Sequence, residues 1–319
     1  FAGEPIAMTI GSNRSIAEDI ADMVLVDIEE LPAVIDMVAA TKPGSPLLRG
    51  EWGDNVYVEK HNEYGALDSA RKNAAVTISR EYRMNRQSAV PLEGRAILAV
   101  WDARLDELLI YTGSQSPHQT RVGMAHVLGI EERKLRLISP DIGGGFGAKR
   151  VLYPEELMVA ALALRLKKPV RWIDDKREHL LTAIHCREHL HKVTAYADAK
   201  GRILGLDVEI YVDAGAYSHW PNGPYMETGM ASRNIPGPYD IPHYRCRSYT
   251  VATNKSPIGA YRGVARPAAC FSIERTIDEV AHAVGREPYI VRMENMVPPE
   301  SMPYRNVTKL LFDGGDYAE

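Results

Sequence analysis

An α+β fold is what this sequence predicts, and three observations carry the prediction. Residues 96–101 and 108–111 flank a polar turn, and residues 193–197 and 203–212 flank Asp198-Ala199-Lys200-Gly201, so each pair reads as a β-hairpin. Leu157, Ala160, Ala161 and Leu164 recur at helical spacing, as do Ile273, Ile277, Val280 and Val284 in a longer stretch. The elements do not alternate strand, helix, strand, which favours mixed sheets with packed helices over a doubly wound sheet. The 319 residues are 45% hydrophobic and 25% charged with a net charge of −4, values that exclude a disordered or fibrous chain. The length suits about two domains.

From the N-terminus, Ser15-Ile16-Ala17-Glu18 has capping-box spacing and predicts a helix starting at Ser15. Residues 23–28 are strand-like, and residues 32–40 suit a second short helix. Lys42-Pro43-Gly44-Ser45-Pro46 reads as a linker, dividing the chain into residues 1–42 and 43–319. Residues 76–82 alternate as a half-buried strand does. After the first hairpin, Ser116-Pro117-His118-Gln119 predicts a helix start with Ser116 as N-cap and Pro117 at the first helical position. Residues 134–139 predict the next strand, and the helix containing Leu157 follows a glycine cluster. The long C-terminal helix is expected to close at Gly285.

Composition also bounds function. With 38 basic against 42 acidic residues, no basic excess points to nucleic acid as the main partner. No apolar run approaches the about 20 residues of a membrane span. Cys186, Cys246 and Cys270 match no zinc or iron–sulfur spacing and make no disulfide framework, so a reducing cytoplasm is the expected compartment. The chain opens at Phe1 without an initiator Met, so a piece of a longer protein is expected.

Three segments can carry chemistry. Asp141-Ile142-Gly143-Gly144-Gly145-Phe146-Gly147-Ala148-Lys149 can present successive backbone N–H groups as a nest for an anion such as phosphate. Arg150 stands where a Walker loop needs Ser or Thr, and no compact βαβ unit supports a dinucleotide fingerprint. A tight strand-to-helix turn is the alternative for the same residues. Gly259-Ala260-Tyr261-Arg262-Gly263-Val264-Ala265-Arg266-Pro267 leads into the long helix with Pro267 placed at its first position, and Arg262 and Arg266 each offer a guanidinium fork for phosphate or carboxylate. Gln115 lies between a strand end and a helix start, where its amide can point into a cleft or into solvent. His185 and His189 have the i, i+4 spacing of two helical metal ligands, but the surrounding pattern is strand-like, which favours structural histidines. No Gly-x-Ser-x-Gly nucleophile elbow occurs.

In this order, Ser114-Gln115-Ser116-Pro117-His118, Gly143-Gly144-Gly145-Phe146-Gly147 and Ala260-Tyr261-Arg262-Gly263 resemble the large molybdopterin-binding subunit of the xanthine dehydrogenase/aldehyde oxidase family. The likeness is greatest to the aerobic carbon monoxide dehydrogenase large-subunit group and covers nearly the whole chain. Residues 1–42 resemble the end of the family's α/β hammerhead domain, and residues 43–319 its first molybdopterin-binding domain. The resemblance implies a molybdenum–molybdopterin cofactor, including its cytosine dinucleotide form, that oxidises a small molecule with water as oxygen source. It also implies a hetero-oligomer in which electrons leave to an iron–sulfur small subunit carrying 2Fe-2S clusters and a medium subunit carrying FAD.

Site residues follow from the same resemblance. Gln115 matches the glutamine that hydrogen-bonds the apical ligand of the metal. Gly144, Gly145, Phe146 and Gly147 match the loop whose backbone approaches the pterin and metal, and Phe146 also shapes the substrate cavity. Arg262 matches the arginine beside the metal. No side chain is expected to ligate the metal directly, and the general-base Glu belongs to the second molybdopterin domain, outside this chain. Three pocket positions depart from relatives. Arg150 replaces the substrate-binding Glu of purine-oxidising members, Gly263 the copper-holding Cys of carbon monoxide dehydrogenases, and Ala265 a nearby Phe. An aldehyde or aromatic heterocycle is therefore the expected substrate. A cofactor-free assembly paralogue, carbon monoxide dehydrogenase proper, and a nucleotide-binding module built on the glycine nest are the alternatives.

Overall fold

A computed structural model describes residues 1–319. In chain order its elements are α1 (Arg14–Asp22), β1 (Val56–Tyr64), α2 (Leu67–Asn73), β2 (Val76–Met84), β3 (Gln87–Ser88), β4 (Ala96–Asp102) and β5 (Glu107–Thr112). There follow α3 (Pro117–Leu128), β6 (Leu135–Ile138), α4 (Pro154–Leu166), β7 (Val170–Ile173), α5 (Lys176–Thr182), β8 (His185–Cys186), β9 (His189–Ala197) and β10 (Ile203–Gly215). The C-terminal part holds α6 (Tyr225–Asn234), β11 (His243–Ala252), α7 (Arg266–Ala283), α8 (Pro288–Asn295), β12 (Tyr304–Arg305) and β13 (Leu311–Phe312).

Both predicted hairpins form, each as the nucleus of a sheet. The pair β9–β10 sits in a five-stranded sheet of order β1-β11-β10-β9-β2, and β4–β5 in a four-stranded sheet of order β6-β5-β4-β7. Most pairs are antiparallel, whereas β10–β11 and β5–β6 are parallel, so the architecture is the expected α+β. On the five-stranded sheet, Val193 and Ala195 of β9 and Val208 and Ile210 of β10 share the main core with Ile273, Ile277 and Val280 of α7, which packs over β9 and β2. At about 25 cal/mol per Å² of apolar surface, such a face is what holds helix to sheet. The opposite face carries cross-strand charges, among them Lys192–Glu209 at 3.1 Å and Arg247–Glu209 at 3.7 Å. A second core joins Ile97, Leu108 and Ile110 of the smaller sheet to Met124 of α3 and Val159 and Ala163 of α4.

Several local expectations are corrected. Asn13, with extended backbone, caps α1 by accepting from the Ile16 N–H at 3.0 Å, because Ser15 is already helical. Residues 23–28 form no strand: no partner strand lies beside them, and Leu25 is 96% exposed. Residues 32–40 form only a 3₁₀ turn at Ala39–Thr41. Here tertiary bonds override propensity: the Val34 N–H donates to Asn254 Oδ1 at 2.8 Å and the Asn254 N–H returns to the Val34 carbonyl at 2.7 Å, which keeps this stretch extended. Val34, Met37 and Ala40 are thereby buried against Leu190, Tyr211 and Val251. The turn at residues 42–46 is tied by Asn55, whose amide donates to the carbonyls of Ala40 (3.2 Å) and Pro46 (2.9 Å).

The buried face of α4 is rotated from the predicted one. Glu156, Val159, Ala160 and Ala163 face inward while Ala161 is exposed, because Glu155 and Glu156 reach Arg95 and Thr112 beneath the helix. The long helix starts at Arg266 with Ala265 as N-cap, so Pro267 is its second residue; its far end has Gly285 at φ +67° as expected. His185 and His189 lie on strands, which removes the helical metal-ligand geometry. His189 instead contacts His191 at 3.1 Å, and His191 bonds Ser272 Oγ at 2.7 Å. No helix is long and apolar enough to cross a membrane.

Candidate cofactor cradle

The three segments singled out in the sequence come together at one surface through their backbones. Gln115 leaves the end of β5, and its own N–H donates to the Lys149 carbonyl at 2.8 Å. Its side-chain Oε1 accepts from the Gly147 N–H at 2.9 Å. Since that oxygen is taken by a donor, the Nε2 amide is left as the outward-facing donor. Ser116 is the N-cap of α3 by position, but its hydroxyl donates to the Arg150 carbonyl at 2.7 Å, so it stitches the two loops rather than capping.

The glycines are required by close approach. A Cβ on Gly145 would lie 2.6 Å from Gln115 Oε1, and one on Gly147, at φ +110°, would lie 2.1 Å from the Ala260 carbonyl oxygen. At Gly147 the obstacle is backbone and only glycine fits, whereas a methyl at Gly145 would displace the Gln115 amide from its place. Phe146 is itself left-handed at φ +54°, and 42% of its surface is exposed. Its carbonyl accepts from the Arg262 N–H at 2.8 Å, and the Arg262 guanidinium lies 5.6 Å from its ring centre. The N–H groups of Gly144, Gly145 and Phe146 donate to no protein acceptor, which leaves three adjacent donors for a ligand.

Arg262 heads a tight loop in which Gly263 (φ +93°) and Val264 (φ +52°) are both left-handed. Strain of this kind, about 1–3 kcal/mol per non-glycine residue, persists only where neighbours hold it. A residue that sequence reasoning missed does so. Arg187, between β8 and β9, stacks its guanidinium 4.3 Å over the Tyr261 ring and donates from Nη1 to Gln87 Oε1 at 3.0 Å. Its Nη2 bonds the Arg262 carbonyl. No spacing in the sequence marks Arg187, since it lies 75 residues from its partner.

Gln115, Phe146, Arg150 and Arg262 are all exposed, and the Arg150 and Arg262 guanidinia make no ion pair. Ala265, expected to line the pocket, is instead fully buried in the main core and offers no surface to this face, because it caps the helix that packs there. Two concavities lie elsewhere, about 450 Å³ beside His61 and Arg247 and about 460 Å³ beside Asp240 and Tyr304, and neither is lined by Gln115, the glycine loop or Arg262. Beneath the cradle, Tyr153 donates to the Ala148 carbonyl at 2.7 Å and accepts from the Ile184 N–H at 3.2 Å; burial raises its phenol far above the ordinary value.

Residues 49–296 match the model of the molybdopterin cofactor-binding domain. The chain belongs to this family. Its sequence is 33% identical over 320 residues to the nicotine 6-hydroxylase large subunit of Paenarthrobacter nicotinovorans, spanning 100% of this chain and 39% of that protein. It is 34% identical over 332 residues to the carbon monoxide dehydrogenase large chain of Hydrogenophaga pseudoflava, spanning 99% and 41% respectively. Among solved structures, quinoline 2-oxidoreductase from Pseudomonas putida 86 superposes with a TM-score of 0.91 at 35% identity, covering 96% of this chain and 39% of that one. The chain thus spans about two fifths of these family members.

Proposed function

We propose that this chain supplies part of the cofactor cradle of a molybdenum hydroxylase that oxidises an aldehyde or aromatic heterocycle. The observation that carries the reading is the interlock of Gln115, Gly145, Gly147 and Arg262, with the Gln115 Nε2 donor and the Gly144, Gly145 and Phe146 amides all left without a protein acceptor. The residues fit the group: a gap that a Cβ would close, lined by unpaired amide donors, suits the close approach of an anionic, oxygen- and sulfur-bearing cofactor. When bound, the molybdenum–molybdopterin group supplies two-electron oxidation with water as the oxygen source. Gln115 then holds a donor at a fixed position, Arg262 offers a fork to a negative group, and Phe146 walls the substrate side.

The general-base Glu is assigned to sequence outside residues 1–319, and 2Fe-2S and FAD partners are assigned as the electron outlet. Cys186 and Cys246 are buried apart in β8 and β11 and Cys270 is on α7, so their positions support an outlet on other chains. The division at residues 42 and 43, the cytosine dinucleotide form of the cofactor and a cytoplasmic location belong to the same proposal. Names of relatives that act on nicotine and quinoline support an N-heterocycle as substrate. Gly263 and Arg150 support neither carbon monoxide nor a purine.

The test is the full-length protein with its partner subunits, assayed for molybdenum and for turnover of aldehydes, pyridines, purines and carbon monoxide with an artificial electron acceptor. Stoichiometric molybdenum with heterocycle or aldehyde turnover is expected. A metal-free complex would refute the enzyme reading in favour of an assembly paralogue, and carbon monoxide turnover would refute the inference from Gly263.

A further inference from the structure

The loop that forms the cradle is anchored by an ion pair that the chemistry above does not use. Lys149 is only 3% exposed, and its sole ionic partner is Glu93, whose Oε2 accepts from Nζ at 2.6 Å. The same carboxylate oxygen accepts from the Gly143 N–H at 2.9 Å, and the Glu93 N–H donates to the Gly143 carbonyl at 3.1 Å. One carboxylate therefore grips both ends of the glycine loop: Gly143 at its start by the main chain, and Lys149 at its finish by the side chain. The Lys149 carbonyl in turn receives the Gln115 N–H at 2.8 Å. The lysine stem runs beneath Gly113, where a Cβ would lie 3.7 Å from Nζ and 3.9 Å from the Glu93 carboxylate. The residues that would receive the cofactor thus hang on a buried charge whose counter-charge comes from a different segment.

We propose that Glu93 and Lys149 are positioning residues, whose ion pair sets the spacing between Gln115 and the Gly144–Gly147 amides before the cofactor binds. The inference rests on the cradle reading for its consequence in cofactor binding, but the anchoring can be observed without it. The pair is asymmetric. Glu93 is 50% exposed, so water solvates it when Lys149 is removed, whereas Lys149 without Glu93 is a buried ammonium with no counter-charge. Loss of Glu93 is therefore the more damaging change, and loss of Lys149 the milder one that leaves folding intact. Glu93→Gln keeps an acceptor for the Gly143 N–H and removes only the charge.

The experiment compares Glu93→Gln, Lys149→Met and Lys149→Arg with wild type in the full-length protein and its complex. Amide exchange over residues 141–149 is read by mass spectrometry with and without cofactor, beside molybdenum content, kcat and KM. We expect loop exchange to rise about tenfold or more in Glu93→Gln and less in Lys149→Met, as for loss of a charge-assisted hydrogen bond. Molybdenum content and kcat per molybdenum should fall with KM little changed, and Lys149→Arg should recover most of both. Loop exchange equal to wild type in both charge-removing variants would overturn the proposal. So would a uniform rise in exchange across the whole chain, because that is destabilisation without positioning. If wild type holds no molybdenum, the cradle reading fails while the exchange comparison still decides the anchor. If Glu93→Gln does not fold, Lys149→Met decides it.

Discussion

Gly147→Ala is the most direct probe of how closely the cradle is assembled. The backbone at φ +110° lies where an L side chain costs about 1–3 kcal/mol. The added methyl would stand 2.1 Å from the Ala260 carbonyl oxygen, so the two loops must separate by about 1 Å or more to reach ordinary contact. That separation pulls on the Arg262 N–H bond to the Phe146 carbonyl, worth about 1 kcal/mol. Overpacking adds about 1–3 kcal/mol, giving a local cost of about 3–7 kcal/mol. A 1 Å misplacement of positioning groups costs about 100-fold in rate. Gly129→Ala separates the two causes, since Gly129 is also left-handed at φ +66° but has nothing within 4 Å of its Cβ position. Melting temperature, molybdenum content and kcat of the full complex should fall far more in Gly147→Ala than in Gly129→Ala. Equal effects would show that the loops do not touch as described.

Gln115→Glu keeps an acceptor for the Gly147 N–H but replaces the outward amide donor with a second acceptor, so turnover should drop at least about tenfold with melting unchanged; unaltered kcat would remove Gln115 from the site. Arg187→Ala removes the bond to the Arg262 carbonyl and the stack on Tyr261, about 1–3 kcal/mol together, and proteolysis or amide exchange should localise the loosening to residues 261–265; protection unchanged there would dismiss the brace. Glu156 tests the ground beneath α4. Burial raises its carboxyl above the usual value, so the native state prefers it protonated, and its contribution to stability is full below the unfolded-state pKa and lost as pH rises through the folded one. The hydroxyl of Thr112 agrees: it has one proton, yet stands 3.0 Å from the Ala96 carbonyl and 2.6 Å from Glu156 Oε1, so a protonated Glu156 completes the chain of donors. Glu156→Gln should therefore flatten the fall of melting temperature as pH rises from the ordinary carboxylate range, and an equal loss at every pH would contradict this.

The parts of the molecule legible in the sequence are those whose cause is local. Both hairpins carry their turn between their strands, and the glycine run and the Arg262 loop announce themselves because only glycine tolerates their backbone. What escaped is decided by distant partners. Asn254 holds residue 34 extended across 220 positions, against a pattern that read as helix. Arg95 and Thr112 draw Glu155 and Glu156 inward and turn α4 about its axis, which no count of apolar residues foretells. Ala265 is a pocket position by family resemblance alone, yet it caps α7 and turns into the core.

This division between local and distant causes bears on specificity. The contacts that build the cradle are made by main-chain atoms or through them: Gly147 to Gln115, Arg262 to Phe146, Arg187 to the Arg262 carbonyl. Such contacts constrain side chains only where a Cβ would collide, as at Gly145 and Gly147. Arg150 sits under a looser constraint. Its side chain is free of any partner, whereas Gly263 at φ +93° is held to glycine by its backbone. The cradle can therefore stay fixed while Arg150 varies. In the proposed enzyme, cofactor geometry and substrate choice are carried by separate atoms of the same loops. Arg150→Glu should accordingly alter the ranking of substrates by kcat/KM while leaving molybdenum content at the wild-type level; a loss of molybdenum in parallel would show that the two functions are not separable at this position.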